Sequence, residues 1–365
     1  MYISIPVLTI LGIGGYAFMK QSKFGKAPSG ERKNKVENSP NYRNGQFQNL
    51  SDTPSFTEGA NYFTVLKKFL FEKDKRSTPS KEIPTIKTDL QNLNPQEEVL
   101  VWFGHSSYFF QVDGKKILVD PVFSGHASPV AFSARAFKGT NNYKAEDIPE
   151  IDILFLTHDH WDHLDYDTIM KIKPKIKKII TGLGTGEHLE AWGFNPAIIT
   201  EKDWNEEVIL EDGIKVNTAP ARHFSGRGFK RNGVLWTSFV LQTPSYKMFL
   251  GGDSGYDDHF KEIGKKFGPF DLALLENGQY NRHWKYIHMM PEETLQAAKD
   301  LRTKRLLPVH NSKFALANHS WDAPLKTIST LHRNDYFQLL TPRIGEKVYL
   351  KSDDQNFTKW WEELN

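Results

Sequence analysis

Cysteine is absent from the 365-residue sequence. Its absence excludes disulfide bonds, thiolate zinc sites, cysteine nucleophiles and a lipoprotein anchor, although it does not identify a cellular compartment. Any metal ion in this protein must therefore be held by histidine and carboxylate side chains.

A strong net charge is also lacking. The formal net charge is +3, and basic residues do not alternate with aromatic ones along any stretch, as a nonspecific nucleic-acid surface would require. We therefore expect no nucleic-acid partner. The composition, with 39% hydrophobic and 25% charged residues, is typical of a globular chain with one large domain or two small ones.

The amino terminus carries an uncharged apolar segment at residues 3–19. This length is at the short end of the roughly 17–25 residues that can span a bilayer. Because no basic residue precedes the segment and no small-residue cleavage site follows it, the pattern predicts an uncleaved anchor at residues 1–22. The basic residues that follow would keep the body of the protein on the cytoplasmic side of a membrane: Lys20, Lys23, Lys26, Arg32, Lys33 and Lys35. The alternatives are an exported protein with a signal peptide and an apolar tail that lies on the membrane surface.

The next segment, residues 23–96, is rich in Ser, Pro, Asn, Lys and Gly. It predicts a tether and N-terminal extension that contains one amphipathic helix at residues 62–73. We expect that deletion of residues 1–26 would spare the catalytic body, because every candidate ligand lies much further along the chain.

Residues 97–365 predict one α/β domain, because strand-like apolar runs alternate with helical patterns. Two strands within residues 107–120 are joined by Asp113-Gly114, a dipeptide that closes tight hairpins. A helix is expected at residues 187–192, before Gly193, and another at residues 291–301, opened by Pro291. Further strands are predicted at residues 99–103, 151–156, 178–181, 214–219, 238–242, 247–250, 272–275 and 306–309.

Candidate metal ligands concentrate in "HDHWDH", residues 158–163, directly behind the strand at residues 151–156. His158 and His160 are two apart in extended chain, so their imidazoles point the same way and can share one metal ion. Asp162 and His163 can reach a second ion, since catalytic two-metal sites place the ions roughly 3.5 to 4 Å apart. Imidazole and carboxylate are ligands that zinc accepts in catalytic sites.

Two zinc sites need more ligands than this run supplies, and three candidates follow other apolar runs. His223 comes after "VNTAPAR", Asp253 after "KMFLGG" and His310 after "RLLPV". Strand ends are where α/β folds gather their ligand-binding groups. Each residue alone is as well explained by a turn or a hydrogen-bonded structural role, but together they indicate a preformed metal cavity.

This ordered set of histidines and aspartates resembles that of the metallo-β-lactamase superfamily. Over residues 97–350 the sequence is most similar to the branch that contains the N-acylphosphatidylethanolamine-hydrolysing phospholipases D. The resemblance implies a four-layered αβ/βα sandwich with two metal ions between its sheets. It rests on "WFGHSSYFFQVDGKKILVDPVFSGHASP", "PARHFSGRGFKRNGVLWTSFV", "GGDSGYDDHFKEIGKKFGPFDLALLENGQY" and "IHMMPEETLQAAKDL".

The resemblance also implies a role for each candidate. His158, His160 and His223 would hold one Zn²⁺, while Asp162, His163 and His310 would hold the other and Asp253 would bridge both. Two such ions generate a bridging hydroxide near neutral pH, which Asp253 would orient. His288, in "KYIHMMPEE", would lie beside the substrate. The expected catalytic residues are Asp253, Asp162 and His288.

The resulting hypothesis is a dinuclear zinc phosphodiesterase that is phospholipase D-like and acts on a phospholipid at a membrane surface. Its products would be N-acylethanolamine and phosphatidic acid. A lactonase resembling ascorbate-6-phosphate lactonase is the nearest alternative, and a membrane-tethered non-catalytic binding protein is another. A true β-lactamase is disfavoured because Asp253 stands where many of those enzymes have cysteine. A nuclease is disfavoured because no nucleic-acid domain is inserted.

Several other residues have open interpretations. For His105 we expect a structural role near the opening between the sheets. Four aromatic residues could line an acyl groove or belong to the core: Phe132, Phe137, Trp192 and Phe194.

Overall fold

A computed structural model describes residues 4–72, 74–333 and 335–364. Residues 1–3 of the predicted anchor and Lys73, the last residue of the predicted amphipathic helix, lie outside the described residues. The same is true of residues 334 and 365 in the predicted hydrolase domain.

The helices and strands alternate along the body of the chain. The α-helices are α1 Ser4–Met19, α2 Gly30–Glu37, α3 Tyr62–Phe71, α4 Tyr166–Ile172, α5 Gly186–Ala191, α6 His259–Phe267, α7 Pro291–Leu301 and α8 Ala323–Leu331. The first strands are β1 Tyr42–Arg43, β2 Gln46–Phe47, β3 Val99–Trp102, β4 Tyr108–Val112, β5 Lys115–Val119, β6 Ile153–Leu156, β7 Ile179–Gly182 and β8 Ile199–Lys202. The later strands are β9 Glu207–Ile209, β10 Lys215–Ala219, β11 Ser238–Gln242, β12 Lys247–Leu250, β13 Leu272–Glu276, β14 Arg305–Val309, β15 Gln338–Leu339 and β16 Lys347–Tyr349.

Two mixed seven-stranded sheets form the centre of the molecule. One has the strand order β16-β3-β4-β5-β6-β7-β8 and the other β15-β14-β13-β12-β11-β10-β9. In each sheet, an antiparallel half is followed by a half in which neighbouring strands run parallel. The Asp113-Gly114 turn joins β4 to β5 with both residues at positive φ, which confirms the predicted tight hairpin.

Strand side chains alternate between two apolar layers, as the two-residue period of a β-strand requires. From β3 and β4, Leu100 and Phe110 face the interior between the sheets, and their neighbours Val101 and Phe109 face outward. The outward residues of the first sheet pack with α4 and α5, and those of the second sheet pack with α6, α7 and α8. The layers are therefore helices, sheet, sheet and helices, and the predicted four-layered αβ/βα sandwich is confirmed.

The amino-terminal part of the chain packs on this sandwich. Phe47 and Val36 are buried with Trp204, Leu235 and Trp236 of the body. In α1, which carries no charged residue, the described side chains from residue 12 to 17 are exposed. Among the described residues, no helix has the length and apolar character needed to cross a membrane.

Candidate metal centre

The predicted ligands meet at one edge of the sandwich, where strands from both sheets end. His158 follows β6, Asp253 follows β12 and His310 follows β14, and the carboxyl ends of parallel strands lie at the same edge of a sheet. Gly252 lets the segment that follows β12 approach Thr157, which follows β6 in the other sheet. Its φ is +61°, and a Cβ there would come within 2.9 Å of Thr157, so a glycine is required at this position.

The first predicted group, His158, His160 and His223, is brought together as three ring nitrogens. His158 Nε2 lies 2.9 Å from His160 Nδ1, and His223 Nε2 lies 3.3 Å from the same atom. His158 and His223 are buried, and His160 is partly exposed to a cavity. Because Asp159 lies between the two histidines of the loop, the extended chain presents both rings to the same side, as predicted.

The second predicted group, Asp162, His163 and His310, forms a neighbouring cluster that also includes His105. His105 Nε2 lies 2.8 Å from Asp162 Oδ2, and the His105 ring centroid lies 4.1 Å from that of His310. The structural role of His105 is therefore to orient the carboxylate of Asp162.

Asp253 lies between the two groups. Its Oδ2 is 3.2 Å from His163 Nε2, 3.7 Å from His223 Nε2 and 3.9 Å from His158 Nε2. Its Oδ1 is 3.1 Å from His310 Nδ1. One carboxylate thus faces histidines of both groups, which is the position that a bridging ligand must occupy.

The spacing and the unused hydrogen-bonding atoms fit metal ions. Two nitrogens bound to one tetrahedral zinc at about 2.0–2.1 Å lie roughly 3.3 Å apart, close to the separations in the first group. His163 Nε2 and Asp253 Oδ1 are buried without a hydrogen-bond partner in the described part of the chain. Such groups are costly unless something binds them, so these residues suit a divalent cation.

The electrostatics favour neutral imidazole ligands in most of the cluster. Burial, reinforced by neighbouring histidines, holds the pKa values of His158, His223 and His310 well below the ordinary value. His163 is the exception, because Asp253 and Asp162 outweigh burial and raise its pKa. Burial raises the pKa of Asp253 to about 6. A metal ion would displace the proton at this last pair, as ligand binding requires.

Two buried carboxylates that sequence reasoning missed hold the histidines in place. Asp120 Oδ2 lies 2.7 Å from His163 Nδ1 and accepts a hydrogen bond from Thr157 Oγ1 at 2.6 Å. Glu276 Oε2 lies 2.6 Å from His288 Nδ1. Such partners fix the tautomer and the ring orientation of a ligand. Both carboxylates end apolar strands, the same signal that identified Asp253.

A cavity of about 270 Å³ opens beside the cluster, and His160, His288 and His310 contribute to its wall. The N-terminal extension also contributes, through Phe56 and Val65. The remaining lining residues are Ser55, Asp162, His223, Phe224, Arg231, Asp253, Gln279, Trp284, Ile287 and Leu316.

The aromatic residues considered for an acyl groove lie elsewhere. Phe137, Trp192 and Phe194 are buried in the core, and Phe132 is exposed without lining this cavity. Apolar contacts to a substrate would instead come from Phe56, Phe224 and Trp284.

Residues 115–311 match the family model described as the beta-lactamase superfamily domain, which is more than half of the chain. The chain belongs to the metallo-β-lactamase superfamily. The predicted family is thereby confirmed, and with it a fold shared by metal-dependent hydrolases.

The chain is also similar in sequence or structure to individual proteins. An uncharacterized protein of Mycobacterium tuberculosis is 34% identical over 329 residues, which are 89% of this chain and 88% of the relative. N-acyl-phosphatidylethanolamine-hydrolyzing phospholipase D 1 of Caenorhabditis elegans is 30% identical over 270 residues, 66% of this chain and 74% of that protein. The crystal structure of isothiocyanate hydrolase from Delia radicum gut bacteria has a TM-score of 0.54 at 21% identity, covering 68% of this chain and 98% of that chain. This structural likeness shows the fold alone.

Residues 22–32 brace the loop that carries the histidines, and we call this segment the N-terminal strap. The Phe24 ring packs edge-on against Trp161, with centroids 5.1 Å apart. Arg227 also contacts the Trp161 ring, with Cζ 3.9 Å from its centroid, and donates from Nε to Lys23 O at 2.9 Å. The strap therefore contacts the residue between His160 and Asp162.

A second contact of the strap reaches Asp159. The backbone N–H of Lys26 donates to His188 Nδ1 at 2.9 Å, and His188 Nε2 lies 3.2 Å from Asp159 Oδ2. Because Asp159 lies between His158 and His160, this chain of hydrogen bonds holds the histidine loop at a residue that does not line the cavity.

An ion-pair cluster fastens the strap to the body. Arg32 contacts Glu187, Glu190 and Glu201. Burial raises the pKa of Glu187, but hydrogen bonds from Ser29, Lys26 and Arg32 outweigh it and lower the pKa to about 2. Since the pKa in the unfolded chain is near 4.5, this stabilisation is fully present above about pH 4.5 and is lost as the pH falls toward 2.

We predict that Arg32→Met lowers the free energy of unfolding by about 2 kcal/mol at neutral pH, because three carboxylates lose their common partner. At pH 3 the loss should be smaller, since the unpaired Glu187 can then take up a proton. Urea unfolding at both pH values measures the difference. The control is Lys33→Met, whose partner Glu37 is exposed and whose cost should stay within about 0.5 kcal/mol. An equal loss at both pH values would contradict the electrostatic explanation.

Proposed function

We propose that this protein is a dinuclear zinc hydrolase of phosphodiesters that acts on N-acylphosphatidylethanolamine-type lipids. The observation that carries the proposal is the position of Asp253, whose two oxygens face both histidine groups. The 30% identity with the Caenorhabditis elegans phospholipase D supports the substrate class. Hydrolysis would release an N-acylethanolamine and leave phosphatidic acid.

The proposed ligands divide between the two groups described above. His158, His160 and His223 would hold one ion, Asp162, His163 and His310 the other, and Asp253 both. When bound, zinc ions in such a pair lower the pKa of a shared water and offset negative charge on the phosphoryl oxygens. Manganese or iron would fit the same donor atoms, so metal identity is part of the experiment below.

The protein's own residues supply orientation and proton transfer. Attack of water oxygen on phosphorus breaks the bond to the ethanolamine oxygen, which must leave with a proton. Asp253 is placed to accept the proton of the attacking water. His288 faces the same cavity, and Glu276 fixes it through Nδ1, so its other ring nitrogen is available to a phosphate oxygen or to the leaving oxygen.

We predict that His288→Ala lowers kcat for a phosphodiester by about 10²-fold, as expected for loss of a positioned acid–base group. Metal content should not change, because His288 is proposed to contact substrate and not metal. Steady-state kinetics and elemental analysis of the same preparations test both statements. His332→Ala, which removes a histidine outside the cavity, is the control. Loss of metal in His288→Ala would instead make His288 a ligand.

The proposal includes attachment to a membrane through α1, with the catalytic domain on the cytoplasmic side. Ile13 and Tyr16 of this uncharged helix are exposed, and Phe229 in a neighbouring loop is 94% exposed. Lys20 and Lys230 flank these apolar side chains, and each basic residue near an anionic leaflet contributes about 1 kcal/mol of attraction. The attached body would meet its lipid substrate at the surface.

The deciding experiment combines metal analysis with turnover of three substrates. We expect about two Zn²⁺ per chain and hydrolysis of N-acylphosphatidylethanolamine vesicles and of bis(p-nitrophenyl) phosphate. Turnover of a sugar lactone without turnover of either diester would replace the proposal by a lactonase. Absence of any bound transition metal would favour a non-catalytic binding protein.

A further inference from the structure

Arg231 lies at the edge of the cavity that adjoins the metal centre. It is exposed to solvent, and it is the one lysine or arginine among the described residues that line this cavity. The histidines and Asp253 form the deep part of the same cavity. A ligand bound at the metal centre can therefore be reached by a cationic side chain from one side.

The loop that carries Arg231 is held in a defined conformation. Asn232 N donates to Ser225 O at 2.9 Å, and Ser225 N donates to Asn232 Oδ1 at 3.3 Å. Phe47 N of β2 donates to Asn232 O at 2.9 Å. Gly226, with φ +142°, lets the two arms of the loop approach, since a Cβ there would lie 3.0 Å from Lys230 O. These contacts fix the backbone on both sides of Arg231.

The Arg231 guanidinium packs on an aromatic ring that also packs against two of the candidate metal ligands. Arg231 Cζ lies 4.7 Å from the centroid of the Phe224 ring, an attractive cation–π distance. The same ring has its centroid 4.4 Å from that of His160 and 4.7 Å from that of His223. Phe224 thus packs against both the cation and two candidate ligands, and it keeps Arg231 beside them at the same cavity.

The charge of Arg231 is available to a ligand. Within the described part of the chain, no carboxylate forms an ion pair with it, whereas Arg32 and Arg222 have carboxylate partners. The guanidinium of Arg227 is also occupied, because it donates to Asp159 O and Leu164 O. An arginine presents paired N–H donors that match two oxygens of a phosphate.

We propose that Arg231 recognises the anionic oxygen of the substrate's phosphodiester and thereby selects negatively charged diesters over neutral esters. The inference rests on the proposed function and adds the residue that determines its substrate charge. Arg231 does not take part in bond making, so its removal should weaken substrate binding much more than it slows the chemical step.

The test measures binding of dimethyl phosphate, a small diester anion, to the zinc-loaded full-length protein by calorimetry. We expect Arg231→Met to weaken binding by about tenfold or more, which corresponds to about 1.4 kcal/mol. Arg231→Lys should recover part of the affinity, because it keeps the charge but not the paired donors. Lys285→Met removes an exposed charge that is next to the lining residue Trp284 but does not itself line the cavity, and it should change affinity by less than about twofold, as solvent screening implies.

Kinetics separate this inference from the proposed function. For bis(p-nitrophenyl) phosphate, KM should rise in Arg231→Met with little change in kcat, and hydrolysis of neutral p-nitrophenyl acetate should not change. If wild-type protein and Arg231→Met bind dimethyl phosphate equally, or if neither binds it, the inference is wrong whatever the protein hydrolyses. If binding depends on Arg231 but no diester is turned over, the inference stands and the proposed reaction fails. A loss confined to binding of anionic vesicles would make Arg231 a membrane contact and would overturn the inference.

Discussion

Replacing Asp253 by alanine is expected to abolish binding of the two proposed metal ions and to lower kcat/KM for a phosphodiester by on the order of 10³-fold. Metal stabilisation of developing charge contributes several kcal/mol, and each 1.4 kcal/mol corresponds to about tenfold in rate. Asp253 faces histidines of both groups, whereas His160 belongs to only one of them. His160→Ala should therefore cost less activity than Asp253→Ala.

Elemental analysis and kinetics on matched preparations test this prediction. Asp258→Ala is the control, since it removes an exposed carboxylate from the same segment. Thermal unfolding of each variant after removal of metal by a chelator reports any direct effect on the fold. If Asp253→Ala retained near-normal metal content and turnover, the bridging role would be wrong.

Two truncations at the amino terminus should have different effects, because α1 and the N-terminal strap have different roles. Deletion of residues 1–21 removes α1 and should lower activity on phospholipid vesicles by on the order of 10²-fold through lost local concentration. Metal content and turnover of a small diester should not change. Deletion of residues 1–33 also removes Phe24, Lys26 and Arg32, and should destabilise the body by about 3–5 kcal/mol with loss of metal.

The residue at which the deletion ends determines whether the experiment removes only α1 or also the N-terminal strap. The sequence predicts that deletion of residues 1–26 spares the catalytic body, whereas the contacts of Phe24 and Lys26 with Trp161 and His188 predict that this deletion weakens it. Paired kinetics on vesicles and on bis(p-nitrophenyl) phosphate, with vesicle co-sedimentation, distinguish attachment from bracing. Equal behaviour of the two truncations would show that the strap does not support the metal centre. An unchanged vesicle activity after deletion of residues 1–21 would contradict attachment through α1.

Much of the sandwich and of its candidate ligands could be predicted because the relevant signals are local. Apolar runs gave β11 and β12 with their observed bounds, and Pro291 with the two glutamates behind it gave α7. The rule that ligands follow buried strands then selected His223, Asp253 and His310, which the fold brings into one cluster. Edge strands such as β15 and β16 were not predicted, since two or three residues carry too little periodicity.

The residues that hold the candidate ligands in position could not be predicted, because their contacts join distant parts of the chain. Asp120 meets His163 across 43 residues of sequence, and nothing in either local segment indicates the other. Nothing in the sequence around His188 indicates a partner, yet it joins Lys26 to Asp159 in the structure. The segment interpreted as a tether likewise gave no sign that Phe56 and Val65 would line the cavity. These residues are far apart in the sequence and become neighbours only when the chain has folded.

The strap also sets an order of events during synthesis. Lys23 and Arg227, which share a hydrogen bond, are 204 residues apart, and at about 5–20 residues per second the ribosome needs roughly 10–40 s to make the intervening chain. The strap therefore cannot complete its contacts with the body until Arg227 has been made. A nascent chain that ends before Arg227 has its histidine loop but lacks part of the brace, and it also lacks Asp253 and His310. The complete set of candidate ligands and its brace can therefore form only late in synthesis.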